Sequence, residues 1–236
     1  MIRARDLRLC IVPSTAAQTQ EGLTTSSLNR DKALIFRITH MDNVPWILDH
    51  GLHCRRSPTQ DPDFVDIGNQ DLIGKRSCRE VSPPPGGTLG DYVPFYFTPW
   101  SPMLYNIKTG YQGVDQRPMS EIAILVSSIP RLDELERCYL ISDRHAYLQL
   151  AQFVSDATGL DRIDWPLLQS KDFARDLDHP DRFDRYQAEA LVHRHLPCSG
   201  LLGIACHGEA QRARLDGQLT RRGMTLKLVV QPAMFF

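Results

Sequence analysis

Glu189 stands between two alanines in the run Tyr186-Gln-Ala-Glu-Ala-Leu-Val192. A carboxylate among apolar neighbours costs free energy unless it is paired or employed. The small flanking residues leave room beside it. The plainer alternative is an amphipathic helix with Glu189 on the wet face, and periodicity alone leaves both open. Arg76 lies in Lys75-Arg-Ser-Cys-Arg-Glu80, just ahead of a Pro/Gly-rich stretch. Taken alone it reads as part of a solvated basic turn. A third feature runs from Asp91 to Tyr105, DYVPFYFTPWSPMLY. A core strand needs apolar residues in alternation or in a run. It does not need a proline on either side of Phe95-Tyr-Phe97, or rings ending in Ser-Pro. Such a run suggests a rigid wall for a flat ligand, although composition alone favours a buried aromatic strand.

Other chemistries have weaker signals. His50, His53 and Cys54 lie close together, as do His193 with His195 and Cys206 with His207. None has structural-zinc spacing and no Cys-x-x-Cys occurs, so no metal is expected. Gly86-Gly87 lacks the spacing and the following Lys-Ser/Thr of a phosphate loop. There is no Gly-x-Ser-x-Gly elbow.

The elements that must position these residues belong to a chain of 236 residues, 42% hydrophobic and 23% charged, enough for one domain with a core. The formal net charge of −1 gives no global field for nucleic acid. A nucleic-acid partner would need locally gathered cations. Six dispersed cysteines fit reduced thiols better than a disulfide framework. No apolar run reaches membrane-spanning length, and no secretory signal is readable. A cytoplasmic protein is expected.

Residues 1–32, rich in Ser, Thr, Gln and Ala, read as a poorly ordered leader, with the folded domain over 33–236. The pattern predicts a strand over Ala33 to His40. A helix follows, capped by Asp42 or Asn43, with Pro45 in its first turn and Gly51 as its stop. Residues 53–90 read as mostly loop, with a short element possible over Val65 to Gly74. Strands are expected at Ile122–Ser127, Tyr139–Ser142, Leu201–Cys206 and Leu226–Val230. Helical segments are expected at Ser101–Ile107, Leu132–Leu135, Tyr147–Ala157 and Gln211–Arg221. Residues 159–185 read as a charged loop, and Tyr186–His195 as strand or helix. The sum is an α+β domain of mixed sheet and short helices.

Several of these segments, in order, resemble one family. Phe36-Arg-Ile-Thr-His40, Asp42-Asn43, Ile47-Leu48 and Gly51-Leu52 resemble the opening of the DarT family of DNA ADP-ribosyltransferase toxins. Asp91-Tyr-Val-Pro-Phe-Tyr-Phe97 with Ser101-Pro-Met-Leu-Tyr105 is similar to its central signature. Asp143-Arg-His-Ala146 and Tyr186 to Val192 resemble its later motifs. The resemblance implies the ADP-ribosyltransferase fold, a split mixed sheet with NAD held in a cleft. It implies transfer of ADP-ribose from NAD to thymine or guanine in single-stranded DNA, and a macrodomain antitoxin that removes the mark. By the same resemblance Arg37 and Thr39 lie on the first strand at the nicotinamide end, with His40 and Asn43 near it. Ser101 and Tyr105 match the serine and stacking tyrosine beyond the second strand. Glu189 matches the catalytic glutamate, and Arg76 the arginine facing the target base. Arg37 stands where the family often has His, and residues 1–32 have no counterpart.

The residue types suit that chemistry. Breaking the nicotinamide–ribose bond builds positive charge, which a nearby carboxylate such as Glu189 stabilises. Tyr96 and Tyr105 supply flat walls for nicotinamide. A guanidinium at Arg76 can hold charge on a base nitrogen but cannot act as the base itself. Lys75 and Arg79, and the set Trp165, Lys171, Arg175 and Arg185, combine cations with rings as single-strand binding sites do. For residues 161–185 a surface loop with buried anchors explains the composition equally well. Two alternatives keep their place: transfer to RNA or protein, and a non-catalytic single-strand-binding module.

Overall fold

The computed structural model describes residues 25–236. Its strands are β1 (Leu34–His40), β2 (Leu52–His53), β3 (Tyr92–Tyr96), β4 (Ile122–Ser128), β5 (Tyr139–Ser142), β6 (Phe153–Val154), β7 (Glu189–His193), β8 (His195–Leu196), β9 (Gly203–Cys206) and β10 (Lys227–Val230). Eight of them form one sheet in the order β10-β9-β4-β1-β3-β7-β5-β6, and β2 pairs with β8 in a separate ribbon. β10 runs parallel to β9 and the other pairings are antiparallel. Short helices complete an α+β domain, as expected.

The sheet is nearly divided between β1 and β3. β1 pairs with β4 at every residue from Leu34 to His40, whereas β1 meets β3 only at Phe36 and Tyr96. The sequence supplies the cause. On the edge of β3 that faces β1, the next position after Tyr96 is Pro94, which has no N–H to give the ladder. The Pro94 carbonyl is taken instead by a side chain, Arg37 Nη1 donating at 2.9 Å. The second proline of the aromatic run, Pro99, falls beyond the strand.

β4 is apolar almost throughout, and Ile122, Ala123, Ile124 and Leu125 are all fully buried. That is the mark of a central strand covered on both faces. α1 (Val44–His50) carries Pro45 in its first turn and ends at Gly51, whose φ of 80° lies in the left-handed region. A Cβ at Gly51 would sit 2.5 Å from the Leu196 carbonyl oxygen, so the close approach of β8 requires glycine here. The other helices are α2 (Gln70–Ser77), α3 (Pro102–Thr109), α4 (Ile129–Glu134), α5 (Trp165–Ser170), α6 (Arg182–Arg185) and α7 (Glu209–Arg221). α7 packs on β9 and β10 through Leu215 and Leu219.

Three expectations change. Residues 147–157 are not a helix. They hold turns and β6, whose Phe153 pairs with Ser142 and Val154 with Ile141. Completing the sheet edge outweighs a weak helical pattern, and Tyr147 and Phe153 pack on a small cluster that includes Val81 and Tyr92. Within the expected 159–185 loop lie α5 and α6. The start of α5 was readable: Asp164 Oδ1 accepts from the Leu167 N–H at 3.0 Å, and a proline sits in the first turn. The possible element at Val65–Gly74 is α2, displaced toward the C-terminus because Asn69 caps it.

The expected leader, 1–32, falls largely outside the described residues. Its described end is packed. Leu28 is fully buried in the core, and the Leu28 carbonyl accepts from Gln169 Nε2 at 2.8 Å. The packed domain therefore reaches back past residue 33. Leu28→Ala is expected to cost about 2–4 kcal/mol, measurable as a lower midpoint in urea unfolding. A neutral result would show that residue 28 contributes little to the core.

Candidate active site

Glu189 opens β7 and Arg76 sits in the last turn of α2, 113 residues apart in sequence. The fold brings them face to face. Arg76 Nη1 donates to Glu189 Oε1 at 2.9 Å and Nη2 donates to Oε2 at 2.6 Å. This is a two-pronged, charge-assisted contact of the kind only arginine can make. The Ala146 N–H adds a third bond to Oε1 at 2.9 Å. Glu189 is 1% exposed, so its charge is both buried and compensated. Burial pushes its carboxyl up, but the Arg76 guanidinium outweighs it, with help from His145 and the Ala146 N–H. The group is held below its ordinary value of 4.5. Burial likewise pulls Arg76 down, and Glu189 more than restores it. Both groups are ionised across the neutral range.

The sheet register places Glu189 in a row that crosses the seam. Phe36 of β1 pairs with Tyr96 of β3, Tyr96 with Glu189, and Glu189 with Ser142 of β5. Ser142 Oγ accepts from the Glu189 N–H at 3.1 Å and donates to the Arg144 carbonyl at 2.7 Å. The carboxylate is thus fixed from its backbone as well as from its tip. The Tyr96 hydroxyl is pushed up by burial and then by Glu189, and it stays a neutral phenol.

A cleft runs along the seam. Its walls include Arg37, Trp46, Phe64, Asp66, Arg76 and Pro94. Glu189 lies behind Arg76 rather than on the wall. Burial pulls the Arg37 guanidinium down to about 10, and its hydrogen bond is to a neutral carbonyl. A half-buried cation with donors to spare is suited to a ligand that carries anionic or amide oxygens. The cleft therefore combines three guanidiniums, those of Arg37, Arg55 and Arg76, with aromatic surface, and a carboxylate masked behind Arg76.

The family description "ssDNA thymidine ADP-ribosyltransferase, DarT" matches residues 36–236. The chain belongs to the DarT family. A DNA ADP-ribosyl transferase of Escherichia coli O127:H6 is 48% identical over 212 residues, covering 90% of this chain and 97% of that protein. The structure of Thermus sp. 2.9 DarT in complex with ADP-ribosylated single-stranded DNA superposes with a TM-score of 0.79 at 29% identity, over 87% of this chain and 97% of that one. The NAD+ complex of the same Thermus protein gives 0.73 at 30% identity, over 87% and 98%.

In this DarT-family chain the structure separates the expected site residues. Arg37, Tyr96, Arg76 and Glu189 converge at the seam. Thr39, Asn43 and Ser101 serve the scaffold. Ser101 is fully buried and caps α3, its Oγ accepting from the Leu104 N–H at 3.2 Å. Asn43 spends its whole amide on protein. Nδ2 donates to Thr39 Oγ1 at 3.1 Å and to the Val65 carbonyl at 2.9 Å, and Oδ1 accepts from the Val65 N–H at 2.8 Å. It staples the 53–69 segment to β1 and so shapes the cleft. Asn43→Ala is expected to cost about 2–4 kcal/mol, through three lost bonds and unsatisfied partners. Denaturant unfolding checks this, and a change below 1 kcal/mol would contradict the staple.

His40 turns to another recess, where Nε2 lies 3.4 Å from Glu121 Oε2 and Nδ1 accepts from the Asp42 N–H. It is not gathered with Glu189. Tyr105 is 41% exposed, its ring edge-on to Phe173 and Phe236. Of the expected strand-binding residues, Lys75 is exposed beside Arg76. Arg79 reaches the Leu148 carbonyl. Lys171 lies over the Trp100 ring and Arg175 over Phe183. Trp165 is a half-buried anchor, edge-on to Phe97 and donating to the Leu160 carbonyl. Arg185 is held by Asp164 and Asp181. For Trp165 and Arg185 the structure thus shows the anchoring use, and their partners are already within the fold.

Sequence reasoning left the turn after β5 without a role. Its His145 and Ala146 act on the carboxylate, and Ser142 at the end of β5 holds the Glu189 backbone. The legible signal was Asp143-Arg-His145, a cluster of turn-forming and polar residues directly after an apolar strand.

Proposed function

We propose that this chain transfers ADP-ribose from NAD+ to a base, thymine or guanine, in single-stranded DNA, and releases nicotinamide. We further infer that it is the toxin of a toxin–antitoxin pair, opposed by a macrodomain antitoxin. The observation that carries the enzymatic reading is the Glu189–Arg76 pair set behind a cleft at the split of the sheet. The NAD+ and ADP-ribosylated DNA complexes of the Thermus relative support it. The toxin role is supported by the family resemblance.

The chain's own groups account for the chemistry. Arg37 supplies a desolvated cation at the cleft wall, and Tyr96 a neutral ring with a polar tip. The carboxylate of Glu189 is ionised and preorganised, so it can accept a ribose hydroxyl and oppose the positive charge that builds as nicotinamide departs. A neutral base nitrogen is a weak nucleophile. Arg76, as a cation beside it, favours loss of its proton and holds the resulting charge. The base must leave its stack to reach the cleft, in keeping with a single-stranded substrate. Exposed Lys75, Lys171 and Arg175 offer charge to the backbone.

Nucleoside mass spectrometry of single-stranded oligonucleotides treated with the protein and NAD+ tests this. A base carrying ADP-ribose is expected, and its identity names the acceptor. ADP-ribose found on RNA or protein but absent from DNA would overturn the assignment. Binding of single strands with no nicotinamide release would replace it with a binding module.

A further inference from the structure

We propose that the Arg76–Glu189 ion pair is a latch that suppresses turnover of NAD+ until a DNA base enters. The inference rests on the transferase reading above. A carboxylate offers about four lone-pair positions. Three are taken in this structure, two by Arg76 and one by the Ala146 N–H. The side chain of Glu189 is 2% exposed and that of Arg76 15%, so the guanidinium is the cover. In this state Glu189 has little left to offer a ribose hydroxyl.

The element that carries the cover is lightly held. α2 has no buried residue. Among the described residues, the only side-chain hydrogen bonds from α2 to another element are the two to Glu189. Ser77 and the cap Asn69 bond only within the helix itself. Firm attachment lies on either side of it. Val65 is forked by Asn43, and the Leu89 N–H donates to the Arg79 carbonyl next to the Glu80–Thr88 bridge. Ile67, just ahead of α2, is buried in the core, so the part that contributes no core residue is α2 itself, from Gln70 to Ser77.

The same guanidinium is assigned to the acceptor base. Glu189 takes two of its five N–H donors, so a charged base nitrogen can engage the others and then competes with the carboxylate for the same positive charge. Base entry therefore draws Arg76 off the carboxylate and frees an oxygen for the ribose. Without a base the latch stays shut. NAD+ is then spared from attack by water, in which the nicotinamide–ribose bond breaks, a water oxygen bonds to the ribose carbon and the water's proton passes to solvent.

The test is Arg76→Lys, assayed for nicotinamide release with and without a single-stranded oligonucleotide. Lysine keeps a positive charge beside Glu189 but loses the fork. Release without DNA is expected to rise at least threefold over the unmutated protein, while transfer to DNA falls. Release that stays level or drops overturns the latch. Undiminished transfer to DNA would instead remove Arg76 from the transfer mechanism, a separate outcome. A second measurement needs no variant. In nitrogen-15 arginine spectra of the whole protein, the Arg76 Nη protons are expected to be protected from exchange. Their chemical shifts should move when oligonucleotide is added, as the partner changes from carboxylate to base, and unmoved shifts overturn the proposal.

Discussion

Glu189→Gln is expected to lower turnover in the DNA transfer assay by about 10²–10³-fold, with little change in NAD+ affinity. The amide keeps the size of the side chain and removes the charge that opposes the developing cation. The substitution also leaves Arg76 facing a neutral group in a buried setting. A stability loss of about 3 kcal/mol is expected, at the low end for a broken buried pair because Arg76 keeps some contact with water. Turnover and urea unfolding must therefore be measured on the same preparation. Unchanged turnover in a folded variant would remove Glu189 from the chemistry.

Arg76→Ala should alter stability and pH dependence together. In the intact protein the depressed carboxyl of Glu189 contributes stability that is fully present above its unfolded value, near 4.5. That contribution is lost as pH falls through the lower folded value. The pair is thus secure at neutral pH and gives way only in acid. Without Arg76, burial is opposed only by His145 and the Ala146 N–H, and the carboxyl rises above 4.5. The acid limb of any remaining activity moves upward with it, and stability at pH 7 falls by about 3–5 kcal/mol. A pH profile of nicotinamide release and unfolding at pH 7 check the two effects. An acid limb that stays put would mean that Arg76 does not control the carboxylate.

Much of the scaffold was legible because its elements are locally consistent. The run Ile122 to Ser127 could be little else than a central strand. Pro45 and Gly51 bracket α1 by backbone chemistry that tolerates few substitutes. Residues 147–157 failed because Phe153 and Val154 earn their place through partners on β5, which no local pattern contains. The site was legible as a set of residue types but not as contacts. Glu189 was conspicuous for its apolar flanks, yet its partner 113 residues away could not be read from them. Asn43 was placed near the ligand by the family resemblance, which carries no information on its hydrogen bonds. Its actual partners are the backbone of Val65 and the hydroxyl of Thr39. Trp165 and Arg185 show the converse case, since rings and cations in a charged stretch can serve the fold alone.

The seam between β1 and β3 has a mechanical meaning. One half of the sheet is β10-β9-β4-β1 and the other β3-β7-β5-β6, joined by a single paired position. Along the chain, the path passes between halves from β1 to β3, β3 to β4, β4 to β5 and β7 to β9, which is four crossings. The halves are laced by covalent chain while scarcely bonded edge to edge. Like a book sewn at the spine, they are kept together by the thread of the chain and by the core they share, and Arg37 and Pro94 of the cleft wall meet on that spine.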